Sequence, residues 1–128
     1  MPSTRASPPL IIFPMSFNAP VRYIGDVAIV DVAGRLALGE GAGALRDTIR
    51  GLVSKGDKKI LVKLKDVTFI DSSGLGELVG SYATAANAGG TIKLLNVESK
   101  VQSVLMIAKL STVFESFNNE SIAVLSFS

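Results

Sequence analysis

Apolar residues along the chain follow two different spacings, which together predict strands that alternate with helices. Three short runs rich in β-branched residues indicate buried strands, at residues 27–32, 60–64 and 91–95. A fourth run, 21–24, is expected to pair with the first through a tight turn at Gly25-Asp26, because this dipeptide favours hairpin turns. The chain is therefore predicted to enter its sheet with a β-hairpin.

Between these strands, the apolar residues recur at the intervals that are typical of helices. Residues 45–53 place apolar side chains at i, i+4, i+7 and i+8, which gives a helix one apolar face. The same spacing recurs over 75–86 and again over 99–110. We therefore expect three helices that each pack one face against the sheet.

Local signals suggest where these helices begin and end. Gly56 and Gly89-Gly90 are expected to end the first two helices, since glycine readily adopts the left-handed conformation that follows a helix. Ser99 and Gln102 have the spacing of a capping box at the start of the third.

A last strand at 113–117 and a terminal helix at 120–126 complete the predicted order of elements. This order indicates an α/β fold with one mixed sheet of four to five strands and about four helices, whose parallel strands are joined by right-handed helical crossovers. A chain of 128 residues, 48% of them apolar, can bury one core. The sequence therefore predicts a single domain.

The first 20 residues differ from the rest because four of the five prolines interrupt them. We expect a flexible tail over 1–20 and one domain over 21–128. The apolar run 10–13 is too short for a signal-peptide core or a membrane span, so no membrane insertion is expected. Two alternatives stay open: this run docks on a partner or on the domain itself, and Met15 is the natural start of the protein.

Composition excludes several kinds of chemistry. The chain has no Cys and no His, and Asp66 with Asp71 are too few carboxylates to suggest a hard-metal site. The glycine-rich stretch 39–43 lacks the Gly-Lys-Ser/Thr ending of a phosphate-binding loop and is expected to lead flexibly into the first helix. A scattered net charge of +2 does not suggest a nucleic-acid partner. We expect no cofactor, no metal and no catalytic activity.

The segment 71–76, Asp-Ser-Ser-Gly-Leu-Gly, follows an apolar run at 67–70 and precedes a helix expected to begin near Leu75. A helix start carries unpaired N–H groups and partial positive charge, which favour an anion. In one interpretation a serine only caps the helix while Asp71 supports the turn. In the other, a serine carries phosphate, and Glu77 in the first helical turn would repel it.

The stretch FIDSSGLGELVGSY at 69–82 resembles the signature of the STAS family, specifically its soluble bacterial anti-sigma factor antagonists. The likeness extends from about residue 21 to about residue 117 and includes a strand that ends at Gly34 and a turn at 89–94. It implies that an anti-sigma factor, which is also a serine kinase, binds this chain and phosphorylates Ser73. Phosphorylation would end that binding and a serine phosphatase would restore it.

The resemblance also implies a cytoplasmic protein in which the rest of the motif contacts the partner. These partner-binding residues are Asp71, Ser72, Gly74, Leu75 and Gly76.

One position departs from the family pattern. Most such antagonists carry Asp a few residues after the glycine that ends the second strand, whereas this chain has Ala37. A second hypothesis therefore stays open, in which the domain is a STAS scaffold or transport-associated subunit that acts by protein contact without phosphorylation.

Overall fold

Between residues 17 and 128, the part of the chain that the computed structural model describes, five strands form one sheet whose spatial order is the chain order. The first two strands are antiparallel, and the other neighbouring pairs are parallel. The elements are β1 (Val21–Ile24), β2 (Val27–Leu36), α1 (Glu40–Ser54), β3 (Lys59–Ile70), α2 (Ser72–Asn87), β4 (Thr91–Leu95), α3 (Ser99–Ile107), β5 (Ser116–Phe117) and α4 (Glu120–Leu125). The predicted α/β fold, mixed sheet and element order are confirmed.

Both faces of the sheet are covered, since successive strand residues point to opposite sides. In β2, Ala28 and Val30 join the core beneath α1, α2 and α3. Val27 and Ile29 point the other way, toward Ala123 of α4. None of the helices within the described residues is long and apolar enough to cross a bilayer.

Charged side chains attach α4 to the second face of the sheet. Arg22 of β1 lies 2.6 Å from Asp31 and 2.5 Å from Glu120. Lys93 of β4 is buried and donates hydrogen bonds to the carbonyl oxygen and hydroxyl of Ser126, at 3.0 and 2.9 Å. The C-terminal helix is thus fixed to the second face of the sheet.

Two strands are longer than the sequence predicted. The second was expected to end at Gly34, but β2 continues to Leu36. The runs 60–64 and 67–70 belong to one strand, β3, which pairs with β2 through two register shifts. These irregularities interrupt the period-two pattern, which explains why the sequence suggested two segments. The longer strands bring Leu36 beside the start of α2.

The glycine-rich stretch 39–43 is not the flexible lead-in that was expected. Helix α1 begins at Glu40 and includes most of it. A Cβ atom on Gly41 would lie only 2.0 Å from the carbonyl oxygen of Arg35. Glycine is needed here because the helix passes this close to β2.

The remaining predictions about where elements begin and end were partly confirmed. Gly56 and Gly89 follow α1 and α2 with φ of +96° and +81°, which confirms the predicted ends. The prediction of a capping box at Ser99 is wrong, since Glu98 is the N-cap residue and no side chain caps α3. β5 is shorter than the predicted strand at 113–117.

The folded domain begins before residue 21, which corrects the predicted boundary. Phe17 is buried in the core. Asn18 and Ala33 exchange two backbone hydrogen bonds of 2.9 and 2.8 Å, and the Asp31 N–H donates to the carbonyl of Pro20 at 3.0 Å. The expectations for residues 1–16, including the run 10–13 and the alternative start at Met15, lie outside the described residues.

We expect Phe17→Ala to lower the free energy of unfolding by about 3 kcal/mol, because it removes a buried aromatic ring and leaves a cavity. Urea unfolding followed by circular dichroism measures this. The control is Ile107→Ala, whose side chain is 83% exposed and whose loss should cost less than about 0.5 kcal/mol. Equal, small effects would exclude Phe17 from the core.

Candidate functional site

The motif 71–76 lies at the carboxyl end of β3, where the chain turns into α2. The helix begins at Ser72, three residues before the predicted start, and Asp71 rather than a serine is its N-cap. One carboxylate oxygen of Asp71 accepts a hydrogen bond of 2.9 Å from the N–H of Gly74. This bond satisfies one of the donors that a helix start leaves unpaired.

The second carboxylate oxygen of Asp71 reaches the loop between β2 and α1. It accepts a hydrogen bond of 3.1 Å from the N–H of Leu38, and the Asp71 N–H donates to the carbonyl of Leu36 at 3.4 Å. One side chain therefore joins the two loops that form this edge of the molecule.

These contacts lower the pKa of Asp71 below its ordinary value. The cause is hydrogen bonding to the charged form, first from the N–H of Gly74, then from that of Leu38 and, more weakly, that of Ser73. The carboxylate is therefore ionised at neutral pH and already supplies the anion that the start of α2 favours.

This arrangement limits how the helix start could hold a phosphate on a serine. The sequence suggested that unpaired N–H groups at the helix start would hold the phosphate. The N–H of Gly74 is already bonded to Asp71, so a phosphate takes its place only by displacing that carboxylate. While Asp71 remains in position, a new phosphate meets a negative charge.

Gly74 and Gly76 have different surroundings. A Cβ atom on Gly74 would lie 1.9 Å from the carbonyl oxygen of Leu36, whereas one on Gly76 would meet no atom within 4 Å. Gly74 is also buried and Gly76 exposed. The close approach that requires glycine at position 74 is thus to this chain's own strand, and contact of Gly74 with a partner stays a prediction.

The two serines occupy different faces of α2. Ser72 is exposed, and Ser73 is half-buried on the face that carries Glu77 one turn later. Glu77 lies in the second turn rather than the first, and its carboxylate is 3.2 Å from Arg46 of α1. Leu75 is half-buried against the core and exposes only part of its side chain.

Two apolar side chains beside the motif were not predicted as site residues. Leu38 is 81% exposed in the loop that Asp71 holds. Phe69 is 41% exposed, with the guanidinium of Arg35 4.2 Å from its ring centre. The signal was available in the sequence, since both are apolar residues next to the predicted ends of strands that meet at this edge.

Position 37, where the family usually has Asp, is buried in this chain. The side chain of Ala37 lines a small cavity of about 140 Å³ together with Leu38 and Glu40. Glu40, the first residue of α1, is exposed beside this loop.

The described residues contain no cluster of three or more His, Cys, Asp or Glu side chains that could hold a metal ion. Neither Ser72 nor Ser73 hydrogen-bonds through its hydroxyl to another residue in the range 17–128. What the arrangement offers is a rigid pair of loops that presents two hydroxyls beside exposed apolar side chains.

Comparison with known proteins places this site in a wider group. The family model of the STAS domain matches residues 18–123. A Bacillus subtilis protein named anti-sigma-B factor antagonist is 29% identical over 101 residues, which cover 79% of this chain and 91% of that protein.

Two solved structures have the same architecture. TM1081 from Thermotoga maritima matches with a TM-score of 0.78 and 28% identity, over 84% of this chain and 92% of that one. The phosphorylated form of the Bacillus cell fate determinant SpoIIAA matches with a TM-score of 0.68 over 88% of this chain and all of that one. Its identity is 19%, so that likeness shows the fold alone.

We expect Gly74→Ala to destabilise the protein by about 2 kcal/mol or more, because the added methyl group forces α2 away from Leu36. Gly76→Ala is the matched control. It adds the same group to the same helix in open space and should stabilise by roughly 0.5–1 kcal/mol. Chemical denaturation of both variants measures this, and a Gly74→Ala variant as stable as the wild type would contradict the close packing.

We expect Asp71→Asn to lower the melting temperature at pH 7. The folded pKa of Asp71 lies below its unfolded value near 3.9, so the stabilisation is present above that pH and is lost as the pH falls through the folded pKa. Thermal melts from pH 7 to pH 2 should show the gap closing below about pH 4. Asp47→Asn, at an exposed site, should show no such gap. A gap that stays constant to pH 2 would mean that charge is not the cause.

Proposed function

Because this chain belongs to the STAS-domain family, we propose that it is an anti-sigma factor antagonist, which binds an anti-sigma factor and so releases the sigma factor. The anti-sigma factor is also the serine kinase that modifies Ser73, and a serine phosphatase reverses the modification. The chain itself catalyses nothing, and it acts in the cytoplasm, where sigma factors work.

The observation that supports this proposal is the position of the two serines. They begin α2 beside the exposed Leu38 and Phe69, in loops that Asp71 joins by hydrogen bonds from Leu38 and Gly74. Apolar side chains on rigid backbone favour protein binding, because little conformational entropy is lost on association. Such a surface suits a protein partner better than a small molecule.

Phosphorylation would act on this surface through charge. The γ-phosphoryl group of ATP is transferred to the hydroxyl oxygen of Ser73, ADP leaves, and the hydroxyl proton passes to a base of the kinase. The product carries about −1.5 to −2 charges next to the ionised Asp71. Desolvating these charges against a partner is unfavourable, and a coupling of about 3 kcal/mol reduces affinity roughly 150-fold.

Ser73 is proposed as the acceptor because of the family motif, although Ser72 is the more exposed serine. Because Ser73 is half-buried on the face that carries Glu77, we expect the kinase to reach it from the side of α2 that faces α1. Ser72 then contributes to the contact surface without being modified.

We expect Ser73→Ala to bind the anti-sigma factor with wild-type affinity and to refuse phosphate, and Ser73→Asp to bind more weakly. Ser73→Asp should lose less affinity than the phosphorylated protein, because one carboxylate carries less charge than a phosphate. Isothermal titration calorimetry measures the affinities. Ser72→Ala is the matched control and should still be phosphorylated.

Incubation with the kinase and ATP, followed by peptide mass mapping, identifies the modified serine. Phosphate on Ser72 would contradict the assignment of Ser73. Binding without modification of either serine would favour the scaffold function instead.

A further inference from the structure

Arg46 connects α1 to α2 directly below the proposed phosphorylation site. Its guanidinium lies 3.2 Å from the carboxylate of Glu77. Glu77 follows Ser73 by four residues, and residues with this spacing are neighbours on a helix surface. A phosphate on Ser73 would therefore lie next to the carboxylate that now holds Arg46.

The guanidinium of Arg46 also extends toward the end at which α1 and α2 begin. One of its terminal nitrogens lies 3.5 Å from the place where Gly43 would carry a Cβ atom. Gly43 is nearly one turn closer to the start of α1, and α1 and α2 both begin at the sheet edge that carries Ser73. Because position 43 has no side chain, nothing there blocks the approach of the guanidinium to that edge.

From this geometry we propose that Arg46 is the internal partner of a phosphate on Ser73, to which its guanidinium transfers from Glu77. This inference rests on the proposed phosphorylation and names the residue that receives its charge. Arginine pairs with phosphate through two parallel hydrogen bonds, and the phosphate offers more charge than the carboxylate it replaces.

The surroundings of the pair permit this exchange. A cleft of about 60 Å³ lies between the two helices, lined by Arg46, Glu77 and Gly80 among others. Gly80 follows Glu77 by three residues and adds no side chain, so the released carboxylate has room to turn away from the phosphate. The N–H of Gly74 is unavailable as an alternative partner, because it is bonded to Asp71.

The exchange has a consequence for the contact surface. It draws the phosphate toward the α1 side of the site, where the preceding loop exposes Leu38. The charge would then lie on the side of α2 that faces α1 instead of extending freely into solvent. Ser72 cannot use Arg46 in the same way, because it lies on the exposed face of α2.

The test is the pH titration of a phosphoserine placed at position 73 of the full chain by site-specific incorporation, followed by ³¹P NMR. Three charged groups are close enough to matter: Asp71 and Glu77 raise the phosphate pKa, whereas Arg46 lowers it. Comparing variants isolates the contribution of the substituted side chain to the phosphate pKa, whatever the absolute value of that pKa.

We expect Arg46→Gln to raise the phosphate pKa by roughly half a unit or more, since it removes an adjacent positive charge. Glu77→Gln should lower it, because the competing carboxylate is gone. Arg50→Gln is the matched control: Arg50 lines the same cleft one turn farther from Ser73 and should leave the pKa unchanged.

A phosphoserine at position 72 is the second control and should be insensitive to Arg46→Gln. The proposal is overturned if Arg46→Gln leaves the phosphate at position 73 unchanged, or if it shifts the phosphate at position 72 equally. No kinase is needed, so failure of a kinase to modify Ser73 would overturn the proposed function without affecting this measurement. An unchanged titration combined with modification by the kinase would overturn only the role of Arg46.

Discussion

The carboxylate of Asp71 is the interaction on which the candidate site depends. Its two oxygens accept hydrogen bonds from Gly74 in α2 and Leu38 in the preceding loop, so one side chain fixes two separate segments. At the same place α2 approaches the backbone of Leu36 more closely than any Cβ atom at position 74 would allow. Glycine at position 74 and the carboxylate at position 71 are therefore parts of the same constraint.

This constraint would allow the proposed phosphorylation to switch binding without refolding. The loops are already held by backbone hydrogen bonds, and the helix start already has its anion in Asp71. A second negative charge would find the N–H of Gly74 already bonded to Asp71 and would have to be met by other donors, by a side chain or by solvent. The surface would then change its charge while its shape persists, which is sufficient for a change in affinity.

The sequence predicted most of the architecture because hydrophobic periodicity determines which elements form. The hairpin at Gly25-Asp26, the helix ends at Gly56 and Gly89 and the order of the strands all follow from local patterns. Contacts between distant segments leave no such pattern. Gly41 looked like part of a flexible loop because its close approach to Arg35 is a tertiary contact.

The errors at the site have the same physical origin. In one of the two interpretations Asp71 only supported a turn, but its role as cap for α2 and partner of Leu38 depends on how two loops meet. Phe17 was assigned to a tail because prolines surround it, although its ring packs into the core. The ion pair between Arg46 and Glu77 joins residues of two helices, so the sequence pattern of a single helix does not predict it.

The central claim, that the site is a preformed surface whose charge and not its fold is switched, is tested most directly by backbone amide NMR. Spectra of the unmodified protein and of the protein phosphorylated on Ser73 should differ only near residues 36–46 and 71–77. The amides of β1, β4, α3 and α4 should keep their chemical shifts, and those of Leu38 and Gly74 should stay protected from exchange. Widespread changes in β4 and α3, or loss of protection at Leu38 and Gly74, would contradict this account.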